Sequence, residues 1–252
     1  MKIRFSIVTI TWNAEHSLQR TLNSVGGQSY AHVEHLIVDG GSTDGTIAMA
    51  KRYQTSSQHE VVITSEPDKG LYDAMNKGLQ RATGDYILFL NAGDTLHAPD
   101  TLETIASVII NTNSPAVVYG DTAITDAKGQ FLHLRRLRPP ERLTWRSFRQ
   151  GMLVCHQAFY ARLDIARQLP YDLQYRYSAD VDWCIRVMKE AERLELPLVN
   201  THQVVCDFED GGATTQHHRE SLKERFRVMR HHYGLATTLA MHLWFVVRTM
   251  KK

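Results

Sequence analysis

The first hundred residues alternate between strand-like and helix-like hydrophobic patterns, and this alternation constrains the fold most strongly. Phe5–Thr11 is apolar and β-branched, and Tyr86–Leu90 is apolar throughout, as is typical of a strand covered on both faces. Leu71–Arg81 instead carries apolar residues at helical spacing. Repeated strand–helix units joined by right-handed crossovers predict an α/β protein with a mostly parallel central sheet flanked by helices.

Polar residues follow the predicted strands at their carboxyl ends. Ligands of open parallel sheets bind beyond these ends, so we expect the polar clusters to converge on one crevice. The clusters are Thr11-Trp12-Asn13, Asp39-Gly40-Gly41-Ser42, Glu66-Pro67-Asp68 and Asn91-Ala92-Gly93-Asp94.

The second half of the chain is less regular and predicts more varied elements. In chain order these are a hairpin of Ala116–Thr125 with Gln130–Arg136, a short helix from Pro139, a strand Met152–Tyr160, a helix Asp180–Leu194, a strand Leu198–Phe208, and helix from His217 onward.

The composition is that of an ordinary soluble globular protein, with 43% hydrophobic and 22% charged residues among 252. A formal net charge of +2 gives no reason to expect a nucleic-acid partner. Cys155, Cys184 and Cys206 form no CxxC motif, which suits unpaired thiols in a reducing compartment. No apolar run reaches the roughly 18 residues of a membrane span, so we expect a cytoplasmic protein.

Two of the polar clusters suggest chemistry. In Asn91-Ala92-Gly93-Asp94, a carboxylate at the end of a buried strand suits a divalent cation that bridges two phosphates, although a turn or helix cap also explains it. In Asp39-Gly40-Gly41-Ser42, the glycines permit close approach of a ligand and Asp39 can accept a hydrogen bond from a base or sugar. An ordinary strand–helix turn explains this second cluster equally well.

Three segments in this order and spacing carry a more specific signal: VDGGSTDGT, SEPDKGLYDAMNKG and GDYILFLNAGD. Together they resemble the family 2 glycosyltransferases, as do the N-terminal SIVTITWNAEHSLQRTLNSVGGQSY and the later HQAFYAR. The resemblance covers roughly residues 3–212 and is strongest to the bacterial branch that builds exopolysaccharide, capsule or lipopolysaccharide. It implies the Rossmann-like GT-A fold with a helical C-terminal extension, and inverting sugar transfer from a nucleotide diphospho-sugar.

The resemblance also implies a domain organisation and partners. A GT-A domain would span residues 1–215, with a donor-binding half at about 1–95 and an acceptor-side half at about 96–215, followed by a helical extension over 216–252. The donor would be a UDP- or GDP-sugar, and the acceptor a hydroxyl of a glycan or of a polyprenyl-diphosphate-linked saccharide. FEDGGATTQHH resembles the family's Gly-Gly segment, a loop that would close over the donor.

Position by position, the resemblance places the family's metal-binding Asp-x-Asp motif on Asn91–Asp94. Asn91 and Gly93 depart from that pattern, which leaves Asp94 as the acidic ligand for Mn²⁺ or Mg²⁺, with the diphosphate supplying much of the coordination. The nucleotide would contact Thr11, Asn13, Asp39, Asp68, Lys69 and Asn91.

The resemblance places the catalytic base at Asp180, just ahead of an amphipathic helix. One carboxylate suffices to take the proton of the acceptor hydroxyl in a single inverting displacement. Asp182 is the alternative base, although its spacing from Arg186 also fits a surface ion pair. His156 and Gln157 match a His-Gln pair on the acceptor side, where a core histidine is nearly as good an interpretation.

Two further segments suggest contact with a membrane surface. Arg135–Arg149 holds six arginines interleaved with Trp145 and Phe148, which suits a pyrophosphate-linked lipid, an anionic membrane or simply a solvated face. The C-terminal LATTLAMHLWFVVRTMKK is apolar nearly all round and ends in basic residues. It predicts docking at the inner face of the plasma membrane, or packing onto the main domain or a second subunit.

Two other function classes remain for comparison. A catalytically silent sugar-nucleotide-binding or scaffold protein is compatible with the departures at Asn91 and Gly93. A nucleotidyltransferase would be expected to carry a glycine-rich loop with Arg and Lys near the first strand, and TITWNAEHS has neither feature.

Overall fold

The computed structural model describes residues 2–211 and 218–250, without the side chains of 218 and 248–250. Residues 212–217, which include most of the predicted donor-closing loop, lie outside the described residues. The strands are β1 Phe5–Thr11, β2 Val33–Asp39, β3 Glu60–Ser65, β4 Tyr86–Phe89, β5 Thr95–Leu96, β6 Val117–Thr125, β7 Phe131–Leu134, β8 Phe159–Arg162 and β9 Leu198–Glu209. The α-helices are α1 Leu18–Gly26, α2 Thr46–Ser56, α3 Leu71–Arg81, α4 Thr101–Asn111, α5 Leu163–Ala166, α6 Ala179–Arg193, α7 His218–Tyr233 and α8 Leu235–Met250.

The strands form one sheet in the order β3-β2-β1-β4-β8-β6-β9-β5, with β7 on β6. Its first four strands are parallel. In their register Thr11 lies opposite Asp39, and Asp39 lies opposite Ser65, so the carboxyl ends of β1, β2 and β3 share one rim. This parallel half, with its crossover helices, confirms the predicted α/β architecture.

The second half of the sheet mixes strand directions. β8 runs antiparallel between β4 and β6, whereas β6 and β9 are parallel. Because β8 is antiparallel to β4, its first residues lie beside the carboxyl end of β4. The preceding short 3-10 helix, His156–Ala158, therefore lies next to the Asn91–Asp94 cluster.

Aromatic packing fixes α6 over the end of β4. The Trp183 ring stacks on Tyr171 at 5.0 Å between centroids and meets Phe89 edge-on at 5.6 Å. Trp183 is fully buried, and burying an aromatic side chain of this size is among the larger contributions to core stability. Asp180, almost one turn earlier on α6, is thereby held at the same rim as the strand ends.

Helix α7 packs on α6 through buried polar contacts. The His232 ring meets the Asp182 carboxylate at 2.7 Å, and both side chains are buried. The Glu224 carboxylate accepts hydrogen bonds from the backbone N–H groups of Arg176, Tyr177 and Ser178 at 2.9, 2.7 and 3.1 Å. Part of the predicted C-terminal extension thus supports the loop that leads into Asp180.

The Glu224 contacts give the first testable prediction. We expect Glu224→Ala to lower the free energy of unfolding by about 2 kcal/mol, because three backbone N–H groups lose a charged acceptor. Urea denaturation measures the change, with the exposed Glu220→Ala on the same helix as the control. Equal stability of the two variants would contradict the assigned contacts.

Two predicted elements are wrong. The chain from Pro139 to Thr144 is irregular, and the 3-10 helix begins at Trp145, because the Tyr119 hydroxyl bonds the Pro140 carbonyl and holds this segment against the sheet. The predicted strand Met152–Tyr160 begins only at Phe159. Met152, Val154 and Cys155, just before the 3-10 helix His156–Ala158, are buried and give the hydrophobic pattern of a strand, but they do not pair in the sheet.

Helix α8 presents apolar side chains to solvent. Leu235, Leu239, Leu243, Trp244 and Val246 are all exposed. Between α7 and α8, Gly234 adopts a φ of 80° that ends the helical run expected from His217 onward. Among the residues that the structure describes, no helix combines the length and hydropathy that crossing a bilayer requires.

Candidate active site

A cleft of about 730 Å³ opens at the carboxyl ends of β1 and β4. It brings together polar clusters that lie far apart in the chain, as expected for the rim of a parallel sheet. Asp94 and Asp180, the predicted metal ligand and catalytic base, line the same cleft. The predicted site residues in its lining are Thr11, Asn13, Asn91, Asp94, His156, Gln157 and Asp180.

The Asp94 carboxylate is buried, at 4% exposure, and both of its oxygens accept hydrogen bonds. Gln157 Nε2 donates to Oδ2 at 2.8 Å, and the Glu209 backbone N–H donates to Oδ1 at 3.1 Å. Burial raises the pKa of Asp94 to about 6, against the opposing effect of these donors and of His156. Asp94 is therefore mostly ionised at neutral pH but takes up a proton at mildly acidic pH.

The residues around Asp94 supply some, but not all, of the oxygen ligands that a divalent cation needs. Within 2–211 and 218–250, no group of three or more His, Cys, Asp and Glu side chains could by itself hold a metal ion. However, Asn91 Oδ1 is buried without a hydrogen-bond partner, and the Glu209 carboxylate lies against Gly93 in the same cluster. One unpartnered amide oxygen and nearby carboxylates are hard oxygen ligands, so the residues fit a cation whose remaining ligands come from a bound diphosphate.

The Asp180 carboxylate is held by three donors. The Tyr72 hydroxyl and the Val181 backbone N–H donate to Oδ1 at 3.1 and 2.9 Å, and His156 Nδ1 lies 3.2 Å from Oδ2. Burial raises the pKa of Asp180, but the His156 hydrogen bond and the charges of His156 and Arg225 outweigh it, so the pKa lies below its usual value. The carboxylate is therefore ionised and fixed in orientation at neutral pH.

The consecutive residues His156 and Gln157 connect the two acidic positions. Gln157 bonds Asp94, while His156 contacts Asp180 through Nδ1 and Asn91 Nδ2 through Nε2 at 3.3 Å. If the Asn91 amide donates to Nε2, then the proton of His156 resides on Nδ1 and donates to Asp180. The pair therefore fixes the relative position of the Asn91–Asp94 cluster and Asp180.

The alternative base Asp182 lies outside the cleft lining. Its carboxylate bonds Arg186 at 2.6 Å, as its spacing predicts, and also contacts His232 at 2.7 Å. It is buried at the α6–α7 contact. Asp182 thus joins two helices and has no access to a ligand in the cleft.

Three residues predicted to bind nucleotide lie beside the cleft rather than in its lining. The Asp39 carboxylate accepts hydrogen bonds from Gly41, Ser42 and Ser65 and so orders its own loop. The Asp68 carboxylate lies against Gly40, next to the ring of Trp12. Lys69 is exposed and donates its backbone N–H to Asp73 at 3.0 Å.

The cleft lining also includes residues that the sequence did not predict as part of the site. Tyr72 and Glu209 lie inside the quoted segments SEPDKGLYDAMNKG and FEDGGATTQHH, but the resemblance assigned no role to either residue. Arg135 is the first of the six arginines of the basic segment, which is a usable signal. Arg225 is contributed by α7, where the sequence predicts only a basic helix.

Sequence comparison identifies the family. The profile described as Glycosyl transferase family 2 matches residues 6–168. A PGL/p-HBAD biosynthesis glycosyltransferase of Mycobacterium bovis is 36% identical over 212 residues, which cover 82% of this chain and 77% of the relative. The chain belongs to glycosyltransferase family 2. An amylovoran biosynthesis glycosyltransferase of Erwinia amylovora is 28% identical over 88% of this glycosyltransferase and 75% of the relative.

Comparison with solved structures agrees on the fold. S. aureus TarS 1–349 in complex with UDP-GlcNAc matches with a TM-score of 0.70 at 17% identity, covering 90% of this glycosyltransferase and 65% of the TarS chain. A Pyrobaculum calidifontis mannosyltransferase in complex with GDP-Man and Mn²⁺ matches with a TM-score of 0.62 at 16% identity, covering 96% and 74%. The predicted family and its GT-A fold are confirmed.

Proposed function

We propose that this glycosyltransferase is an inverting enzyme that moves a sugar from a nucleotide diphospho-sugar to an acceptor hydroxyl. The observation that carries the proposal is the shared cleft of Asp94 and Asp180, with His156-Gln157 bonded to both. One acid lies at the predicted diphosphate position, and the other is a single ionised proton acceptor. Paired carboxylates of the retaining type are not needed for one displacement.

Asp180 acts as the general base. Its carboxylate takes the proton of the acceptor hydroxyl while that oxygen attacks the anomeric carbon, and the bond from this carbon to the donor phosphate breaks with its electrons leaving on the nucleoside diphosphate. Tyr72, Val181 and His156 hold the carboxylate in place by the hydrogen bonds described above. Such positioning lowers the reorganisation that the reaction requires.

The donor nucleotide occupies the side of the cleft formed by Thr11 and Asn13, with Asp39, Asp68 and Lys69 supporting it from the adjacent strand ends. Trp12 is 68% exposed and lines the cleft, so its ring offers a flat apolar face to a base. UDP and GDP are both candidates, in keeping with the UDP-GlcNAc and GDP-Man bound by the two structural neighbours.

Asn91 and Asp94 are the residues that would hold Mn²⁺ or Mg²⁺. When bound, the cation neutralises charge that develops on the leaving diphosphate. Gln157 and the Glu209 backbone orient the Asp94 carboxylate for this role. The Mn²⁺ of the mannosyltransferase neighbour is consistent with a cation in a protein of this fold.

Donor binding and turnover test the proposed function separately. Thermal shift with UDP-, GDP- and dTDP-sugars plus Mn²⁺ finds the donor, because a ligand of the native state alone raises its apparent stability. Release of nucleoside diphosphate from that donor, in the presence of mixed glycan and lipid-linked saccharide acceptors, then measures transfer. Binding without any turnover would favour the catalytically silent alternative, and absence of binding would contradict both.

We propose that the acceptor is a glycan or polyprenyl-diphosphate-linked saccharide used in bacterial surface polysaccharide synthesis, handled at the inner face of the plasma membrane. The two biosynthetic relatives support this context. Helix α8 contacts the 3-10 helix Trp145–Gln150, which carries the exposed Arg149 and the exposed Arg146, the latter paired with Glu192 at 2.6 Å. Apolar side chains bordered by arginines suit an anionic lipid surface.

Membrane contact makes a direct prediction. We expect Leu243→Asp with Trp244→Asp to lower binding to vesicles of anionic lipid by about tenfold or more, because two apolar groups that are 68% and 50% exposed would no longer enter the interface. Vesicle co-sedimentation measures the change. Leu173→Asp, at an exposed loop leucine, is the matched control. Unchanged sedimentation of the double variant would exclude α8 as the contact.

A further inference from the structure

The cleft contains two arginines that the reaction described above does not use. Arg135 follows β7, and Arg225 lies in the second turn of α7; both side chains line the cleft. Arg225 Nε is buried and has no hydrogen-bond partner among residues 2–211 and 218–250. Arg135 donates one Nη1 hydrogen bond, to the Leu137 carbonyl at 2.9 Å, which leaves several of its N–H groups available.

The carboxylates near Arg225 are already engaged. Its chain neighbour Glu224 accepts three backbone N–H groups, and Asp180 accepts hydrogen bonds from Tyr72, Val181 and His156. Within the part of the chain that the structure describes, Arg225 forms no ion pair with either of them. A guanidinium does not lose its charge in proteins, so a partly buried one without a partner calls for an anion from outside the chain.

The two arginines also interact unfavourably with each other. Burial lowers the pKa of Arg225, and the charge of Arg135 lowers it further, while Asp180 and Tyr72 oppose the shift. Two like charges that face one cavity are stabilised when a ligand oxyanion bridges them, because each N–H···O⁻ contact is then charge-assisted. The geometry thus describes a binding site and not a structural ion pair.

The position of Arg225 distinguishes donor from acceptor. Its charge acts on Asp180, whereas the groups that act on Asp94 are Gln157, Glu209 and His156. Its chain neighbour Glu224 also bonds the backbone of Arg176–Ser178, just before Asp180, so Arg225 lies near the proposed base, where the acceptor hydroxyl must bind.

We propose that Arg135 and Arg225 form an oxyanion site for the acceptor, so that this enzyme takes acceptors bearing a phosphate or carboxylate group close to the reacting hydroxyl. This inference rests on the proposed function, because it uses Asp180 as the mark of the acceptor side. Arginine suits the task, since its planar guanidinium binds phosphate and carboxylate oxygens in a bidentate manner. It also gives α7 a direct part in substrate selection.

Methyl phosphate, a small oxyanion, tests the site in protein first saturated with whichever of UDP, GDP and dTDP binds most tightly. NMR titration measures its dissociation constant in wild type, Arg225→Gln and Arg135→Gln. We expect each substitution to weaken methyl phosphate binding about tenfold or more and to leave the nucleoside diphosphate affinity within about twofold, as expected for loss of charge-assisted hydrogen bonds at one subsite. Arg230→Gln, at an exposed arginine of the same helix, is the control and should bind as wild type does.

The outcomes separate the possible sources of the anion. Methyl phosphate that fails to bind the nucleotide-saturated wild type, or that binds the Gln variants equally well, overturns the proposal. Variants that lose affinity for the nucleoside diphosphate but not for the nucleoside show that the arginines bind the donor, which also overturns it. Failure of UDP, GDP and dTDP alike to bind contradicts the proposed function itself, and titration of the free protein then still tests the arginine site. Thermal melting shows whether each variant is folded. The charge-retaining Arg225→Lys should keep part of the methyl phosphate affinity.

Discussion

Asp180→Asn is expected to lower the rate of sugar transfer by about 10²- to 10⁴-fold, the usual contribution of a positioned general base. The amide has nearly the same shape as the carboxylate, but it is too weak a base to take the proton of the attacking hydroxyl. Because Asp180 is proposed to act on the acceptor side of the cleft, donor binding should change by no more than about twofold. Steady-state transfer and donor titration by thermal shift measure the two quantities separately.

The pH dependence of the same reaction gives an independent check. The base must be ionised to act, and although burial raises the pKa of Asp180, the hydrogen bond and charge of His156 hold that pKa below the ordinary value of an aspartate. In assays saturated with Mn²⁺ and donor, which keep the Asp94 carboxylate ionised, the wild-type rate should therefore stay level as pH falls from neutral and decline only below about pH 4. His156→Gln removes this support, so the acidic limb should move to higher pH in that variant.

Asp210→Asn is the comparison variant for Asp180, because Asp210 is also an acid of the cleft lining but is exposed and belongs to the predicted donor-closing segment, not to the position of the base. It should retain most of the wild-type rate. Transfer by Asp180→Asn at the wild-type rate would remove this residue from the base position. A similar loss in both variants would point instead to the overall charge of the cleft.

The first hundred residues of the fold were predictable because each strand and helix there is short and shows a regular hydrophobic pattern along its whole length. Phe5–Thr11 and Leu71–Arg81 carry their patterns to the same residues at which the observed elements begin and end. The sheet rule then placed Asp94 near the ends of neighbouring strands without knowledge of any contact. Local periodicity and one rule of topology were sufficient there.

The second half was less predictable because long-range contacts determine its backbone. Pro139-Pro140 has the sequence of a helix start, yet Tyr119, about twenty residues earlier, holds this segment in an irregular course. Asp182 has an i,i+4 partner in sequence, whereas its contact with His232 spans fifty residues. No pattern within either segment contains this information.

The candidate site was predictable only in part. Residues at strand ends follow from topology, and Asp180 follows from the resemblance to the family. Tyr72 and Arg225 enter the cleft only because α3 and α7 pack with a particular face toward Asp180. Which face of an amphipathic helix lies at a functional site depends on tertiary packing, so these residues could be found only in the structure.

Asp94→Ala is expected to abolish detectable transfer and to remove the effect of Mn²⁺ on nucleoside diphosphate binding. The substitution deletes the acid proposed to hold the cation and leaves Asn91 as the remaining oxygen ligand of the motif. It also deprives Gln157 Nε2 and the Glu209 N–H of their acceptor, which costs about 1–3 kcal/mol of stability. Calorimetric titration with UDP or GDP, with and without Mn²⁺, measures the cation effect apart from turnover.

Two companion variants separate the cation from the fold. Asp94→Asn keeps the shape and one acceptor oxygen, so it should melt close to wild type and still lose most of the Mn²⁺ effect, since an amide is a weaker ligand than a carboxylate. Asn91→Asp adds an acid beside the buried Asp94 and should strengthen the dependence of binding on Mn²⁺, because the cation then relieves repulsion between two carboxylates. Identical Mn²⁺ titrations for wild type, Asp94→Asn and Asn91→Asp would show that Asn91–Asp94 does not bind the cation and is only a structural turn.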